Sequence, residues 1–356
     1  MPRFQRYKWD AWALRALEAF EQDRPQLLAI DTETTGLGFH DQPFGATVTW
    51  RNEAGLSSWY FELGNAGGPP SPESALSSIL NRTPAWVGHN IKFDLQKLRL
   101  AGRITDIPEI HDTMVQFHLL DENGLKGLKH LAVTVLGYDN TVGITIKSGK
   151  NKGKVKMVPK DEHRLSAVRK KLGLTKDDGY HLLPRQALVP YALRDTEFTL
   201  LLHEKLLWQV EANGLLDWYG TEMQLLRVLL DMEADGLAMD MEYLNARVAE
   251  YSVKAMTEWQ DVVKVTGNPD LNLNSPAQII EVFAKRGILL EDTQASTLEG
   301  LNDELAGLIV QYRETFKMYK TYLKGLQDEA VDGIVHPWLN VVGPKTGRMS
   351  SGAAKE

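Results

Sequence analysis

The sequence predicts an α/β fold with a mixed central sheet, followed by a region that is mostly helical. Three observations predict it. A short apolar run, Leu27-Leu28-Ala29-Ile30, ends in Asp31, as a central strand does where it leaves the sheet. Strand-like stretches at 45–51, 57–63 and 86–88 are interleaved with helical periodicity at 11–22, 90–101 and 186–212. Past residue 214 the pattern becomes helical almost throughout.

The elements follow in chain order. Residues 11–22 place Trp12, Leu14, Leu17 and Phe20 at helical spacing. The stretches 45–51 and 57–63 flank Asn52-Glu53-Ala54-Gly55, a hairpin signal. The Gly- and Pro-rich piece 64–73 reads as a loop, Trp86-Val87-Gly88 as a strand, and 90–101 as a helix that runs out at Gly102. Residues 112–136 read as helical with a break at Asn123-Gly124, and 143–160 as a loop or loose hairpin. A long helix over 186–212 stops at Asn213-Gly214. Further on, Ser275-Pro276-Ala277-Gln278 supplies an N-cap, a first-turn Pro and a Gln at N3 for a helix that ends at Lys285-Arg286-Gly287. Ser296 with Glu299 predicts a second capping box, and 335–342 a strand. The expected domains are 1–213, 214–334 and a short segment 335–356.

Composition narrows the class. The 356 residues are 43% hydrophobic and 24% charged, as in ordinary globular proteins. With no Cys there is no disulfide, thiol nucleophile or Cys-based zinc site, and the nine His show no metal-ligand spacing. Met1-Pro2-Arg3 does not open a signal peptide and no stretch approaches a membrane span, so the expected location is cytoplasm and no membrane partner is expected. The formal charge of −7 repels nucleic acid in bulk. Between Lys147 and Lys176, however, eleven Lys and Arg face only Asp161 and Glu162, a local net of +9. Such a run is either a solvated loop or a phosphate-contacting segment; Lys150, Lys152 and Lys154 are its candidate contacts.

The strongest chemical signal is acidic. Asp31 and Glu33, two apart in Asp31-Thr32-Glu33-Thr34, share one face of an extended chain, where they repel unless a cation sits between them. A polar strand-to-turn junction is the alternative. In His89-Asn90-Ile91-Lys92-Phe93-Asp94, Asn90 can cap the following helix and Asp94 falls in its first turn, which suits a negative charge with or without a catalytic role. Tyr191 and Asp195, four apart, lie on one helix face, either as a surface pair or as a phenol and a carboxylate aimed at a common point.

Taken together and in this order, the three segments resemble those of RNase H-like 3′→5′ exonucleases with four acidic residues and a Tyr. That resemblance implies a phosphodiester hydrolase with two divalent metal ions, Mg²⁺ or Mn²⁺, hard cations that prefer oxygen ligands. It implies that Asp31, Glu33 and Asp195 hold the metal that activates water, that Asp94 supports the second metal, and that Tyr191 orients the nucleophile. Leu37 and Asn90 fall where the family contacts the terminal nucleotide. Asp112, in His111-Asp112-Thr113-Met114, also matches the family pattern, with no catalytic role implied.

Ribonuclease D-like enzymes share these carboxylates, and the second half distinguishes the two. Asn272-Leu273-Asn274-Ser275-Pro276-Ala277-Gln278, then Tyr312-Arg313 with Lys317, Tyr319 and Lys320-Thr321-Tyr322-Leu323, are similar to thumb helices of family A DNA polymerases. Thr346-Gly347-Arg348-Met349-Ser350-Ser351 resembles the segment that opens their palm. The resemblance therefore implies an exonuclease domain plus thumb-like region acting on DNA 3′ ends. No polymerase motif follows before Glu356, so the chain alone is not expected to synthesise DNA: it is either one half of a split polymerase, such as those of phages, with a separate polymerase subunit as partner, or a truncated fragment of one. An exoribonuclease and a non-catalytic module that docks DNA or a polymerase are the competing readings.

Overall fold

The structure, a computed structural model, describes residues 3–64, 71–146, 152–175, 178–344 and 346–352. The chain divides into two compact units, residues 1–234 with 337–356, and residues 235–336.

The first unit is built on a five-stranded sheet. Helix α1 (Arg3–Asp23) precedes strand β1 (Leu27–Thr34), and β2 (Pro43–Asn52) and β3 (Gly55–Glu62) form the expected hairpin. Then come α2 (Pro72–Asn81), β4 (Ala85–Gly88), α3 (Ile91–Leu100) and β5 (Glu109–Asp112). The strand order is β3-β2-β1-β4-β5. Strands β1 to β3 pair antiparallel, whereas β4 and β5 run parallel to β1, so the sheet is mixed as the sequence predicts. Alternation along β1 sends Leu28 and Ile30 to one face and Ala29 to the other. On the first face they join Phe20 of α1, Ile79 of α2 and Leu95 of α3. On the second, Ala29 and Val87 meet Leu200 of the long helix described below.

After β5 come α4 (Thr113–Leu120) and α5 (Leu128–Thr134), interrupted at 121–127 around Asn123-Gly124. A hairpin follows, β6 (Thr141–Thr145) with β7 (Val155–Pro159), and then α6 (Lys160–Lys171). Helix α6 carries much of the basic run, for which the sequence pattern predicts no helix; its charges hide the periodicity, and only Leu165 is buried. Helix α2 was likewise unforeseen. It starts within the expected loop 64–73, with Ser71 and Ser74 exchanging bonds as a capping box. The long helix α7 (Arg185–Ala212) matches expectation and ends at Asn213.

Helix α8 (Leu216–Asp235) moves the boundary. The expected division was 213/214, but Tyr219, Met223, Leu226 and Leu230 are buried in the core of the first unit, and the division falls at 234/235.

The second unit opens with β8 (Leu237–Ala238) and contains α9 (Met241–Thr266), α10 (Pro276–Lys285), α11 (Ala295–Glu299) and α12 (Glu304–Lys317). A π-helical turn, Met318–Leu323, leads to α13 (Lys324–Glu329) and β9 (Ile334–Val335), which pairs with β8. Its core gathers Val262, Leu273, Ile279, Phe283, Leu305 and Ile309. Arg313 ties two loops together, donating to Leu273 O at 2.7 Å and Thr293 O at 2.6 Å. Ser275 stands at the N-cap of α10 without a side-chain bond to the helix, and Gln278 instead accepts from Asn272 N at 2.8 Å. The second expected capping box does not form: Ser296 lies inside α11, where Asp292 accepts from Thr297 Oγ1 at 2.7 Å. The strand expected at 335–342 is split, because Pro337 lacks the donor a continuous ladder needs; β10 (Trp338–Asn340) belongs to the first unit and pairs with β11 (Ser350–Gly352). No helix among the described residues is long and apolar enough to cross a membrane.

Candidate active site

The carboxyl ends of the parallel strands β1 and β4 open onto a cleft, the usual ligand position in open α/β sheets. Asp31 and Glu33 share the β1 face on which Ala29 meets α7. The β1–β2 register shifts between Glu33 and Thr34, a bulge that ends regular pairing just beyond the two acids.

Buried threonines dock α7 against β2. Thr49 Oγ1 lies 2.7 Å from Thr196 Oγ1, and Thr47 Oγ1 donates to Ala192 O at 3.4 Å. These contacts fix the turn from Tyr191 to Asp195, and both residues line the cleft together with the acids of β1.

The turn from β4 into α3 places the fourth carboxylate. A Cβ on Gly88 would lie 2.7 Å from Ile91 Cβ, so only glycine permits so tight a passage. Asn90 takes the left-handed conformation, φ 67°, which Asn tolerates better than most residues. Its side chain does not cap α3, contrary to the sequence expectation. Asp112 caps α3 instead, its carboxylate accepting from Asn90 N at 3.2 Å and Ile91 N at 2.9 Å. The same carboxylate caps α4 through Met114 N at 2.8 Å and Val115 N at 3.3 Å. Burial pushes the Asp112 carboxyl up, and these amides oppose the shift. One turn into α3, Asp94 Oδ1 accepts from Thr32 N at 2.8 Å and Thr32 Oγ1 at 2.7 Å, which locks the helix to β1 between Asp31 and Glu33. Burial first, then the charge of Asp31, holds the Asp94 carboxyl well above the usual carboxylate range.

The cleft has a volume of about 390 Å³, and Asp31, Glu33, Asp94, Tyr191 and Asp195 all line it. Leu37 and Asn90 line it too. The loop carrying Leu37 is pinned from within: Asp41 accepts from Gly38 N at 2.8 Å, and buried Lys97 donates to Phe39 O at 3.0 Å. Lys152 and Lys154 are exposed near the β6–β7 turn and do not line the cleft; Lys150 lies outside the described residues.

Several lining residues lie outside the acidic motifs, some of them within the basic run. Lys156, Glu162 and Arg169 come from the β6–β7–α6 insertion, and Lys129 from α5. Lys129 pairs with Asp195, and its ammonium lies 4.1 Å from the centre of the Tyr191 ring. Burial lowers its pKa to about 8, against the opposing pull of Asp31, Glu162, Glu33 and Asp161. Beside it, Glu162 Oε2 is buried without a hydrogen-bond partner. Burial pushes the pKa of the partly buried His89 down to about 4, so its ring stays neutral.

As placed, no three Asp, Glu or His side chains among the described residues form a ready metal cage. The donor chemistry nevertheless suits a hard divalent cation: four carboxylates line one cleft, and one of them, Asp195, is paired with the Lys129 ammonium.

A mixed sheet with helices on both faces and this cleft at its parallel strand ends defines an RNase H-like exonuclease domain, here followed by a helical unit. The chain belongs to the 3′–5′ exonuclease family, which residues 13–211 match; residues 241–354 match DNA polymerase family A in part. DNA polymerase I of Chloroflexus aurantiacus is 29% identical over 373 residues, an alignment that covers 96% of this chain and 36% of that protein. DNA polymerase DpoZ of Salmonella phage PMBT28 is 26% identical over 353 residues, covering 91% of this chain and 52% of the phage protein. The chain thus spans between a third and about half of these curated relatives. In fold it is similar to the POL domain of Pol1 from M. smegmatis, solved in complex with DNA primer-template and dNTP, with a TM-score of 0.64 at 19% identity, covering 97% of this chain and 53% of that one.

Proposed function

We propose that this chain is a metal-dependent 3′→5′ DNA exonuclease that releases nucleoside monophosphates, and that it serves as the proofreading part of a family A DNA polymerase. One observation carries the reading: four carboxylates and a tyrosine from β1, α3 and α7 line a single cleft. Asp31, Glu33, Asp94 and Asp195 would hold two divalent cations, Mg²⁺ or Mn²⁺, which supply Lewis-acid stabilisation of the attacking and leaving oxygens. The Tyr191 hydroxyl orients the attacking water. Hydrolysis forms a bond from the water oxygen to phosphorus and breaks the bond to O3′ of the preceding nucleotide, which leaves with a proton. Leu37 and Asn90 steer the terminal nucleotide into the cleft. Lys150, Lys152 and Lys154 contact phosphates of the strand outside it, a sequence-independent contribution to affinity.

DNA is preferred to RNA as the substrate because the second half matches a DNA polymerase family. The test uses 5′-labelled DNA and RNA oligonucleotides of matched sequence with Mg²⁺. The expected result is a ladder shortening from the 3′ end of DNA, at least about tenfold faster than on RNA, a difference of about 1.4 kcal/mol in barrier. Faster cleavage of RNA would make the chain an exoribonuclease, and no cleavage of either would leave a docking module.

A further inference from the structure

We infer that Lys129 is an internal place-holder for the metal: its ammonium stands among the carboxylates of the cleft and must be displaced when a divalent cation binds, so that this residue sets the metal affinity of the site. The inference rests on the active-site reading above and adds a residue that none of the acidic motifs contains.

Its basis is placement. Helix α5 is fixed by Leu131 and Ala132, both fully buried, and Lys129 leaves its first turn toward the cleft. The side chain is 16% exposed and that of its partner Asp195 10%, so water screens the pair poorly. The rings of Tyr191 and Phe198, 4.1 and 5.9 Å from the ammonium, complete its surroundings. Acids gathered in one cleft repel, and a cation among them relieves that repulsion. A divalent ion gains from the same carboxylates but is repelled by an ammonium held against them, so the two occupants exclude one another. The lysine also has somewhere to go. Glu162 lines the same cleft, and its Oε2 is buried with no hydrogen-bond partner. A flexible four-carbon stem allows the ammonium to swing from Asp195 to Glu162 when a metal arrives.

The experiment measures Mn²⁺ binding, with no DNA present, by electron paramagnetic resonance on the full chain, and thermal melting in EDTA and in saturating Mn²⁺. Lys129→Met is expected to bind Mn²⁺ about tenfold more tightly than the wild type, equivalent to about 1.4 kcal/mol. It is also expected to melt below the wild type in EDTA, with Mn²⁺ closing the gap. Lys156→Met, which removes an exposed cation from the same cleft, controls for the general field and is expected to change affinity by less than about twofold, since solvent screens exposed charge. Unchanged or weaker Mn²⁺ binding by Lys129→Met overturns the inference, as does a melting gap that persists in Mn²⁺, the sign of a permanent structural cation. Should Lys129→Met not fold, Lys129→Gln, which removes the charge but keeps a polar end, is read in the same way. If the wild type binds no Mn²⁺, the active-site reading fails and takes this inference with it. If it binds and Lys129→Met binds no better, only the place-holder fails.

Discussion

Asp31→Asn and Asp94→Asn are each expected to slow Mg²⁺-dependent degradation of single-stranded DNA by about a thousandfold or more. A metal clamp is worth several kcal/mol of transition-state stabilisation, and three orders of magnitude in rate correspond to about 4 kcal/mol. The amide nearly preserves shape, and the melting temperature separates a loss of activity from unfolding. Asn at 94 can still accept from Thr32 N and Oγ1, the two bonds that fix α3 to β1. Asn at 31 alters a residue at the cleft lining. Melting temperatures should therefore stay near that of the wild type while rates collapse. Full activity in the double variant would remove these carboxylates from the chemistry altogether.

The second large effect is on stability. Glu233 of α8 and Lys92 of α3 form an ion pair whose side chains are 0% and 3% exposed. Glu233 also accepts from Leu339 N at 2.6 Å, and the Lys92 ammonium lies 3.6 Å from the Trp338 ring centre, so the pair joins α8, α3 and β10 within the first unit. Burial pushes Lys92 down and Glu233 up from their ordinary pKa values, while each partner's charge opposes the shift in the other. Glu233→Ala leaves a buried ammonium without its counter-charge, and urea unfolding should show a loss of about 3–5 kcal/mol. Lys92→Met combined with Glu233→Leu should recover part of that loss, because an apolar pair replaces the ionic one and only Leu339 N and Gln96 Nε2 lose their acceptor. A loss below about 1 kcal/mol in Glu233→Ala, the range of exposed pairs, would show that water reaches the site.

What could be read from the sequence was local. Asp31 and Glu33 declare themselves because alternation along a strand puts positions i and i+2 on one side, and Tyr191 and Asp195 because positions i and i+4 of a helix coincide. The hairpin β2–β3 and the extent of α7 followed from turn residues flanking patterned runs. What stayed hidden depends on partners far along the chain. Asp112 looks like an ordinary helix N-cap, and nothing near it says that it also holds the start of α3, where Asn90 was expected to supply the cap. Lys129 is one basic residue in a short helix until folding brings Asp195 beside it. The division was expected at 213/214 and falls at 234/235 for a similar reason: the periodicity of α8 shows that it has an apolar face but not which core receives it. Only motifs whose members are close in sequence, or whose order resembles a known family, were legible in advance.

The proposed chemistry requires Asp31, Glu33, Asp94 and Asp195 to bind divalent metal jointly. Crystals of the protein soaked in Mn²⁺ test this most directly through anomalous scattering. One or two strong peaks are expected in the cleft, each within coordination distance of at least two of these four carboxylates. Peaks confined to other surfaces, or none at all at millimolar Mn²⁺, would contradict joint binding.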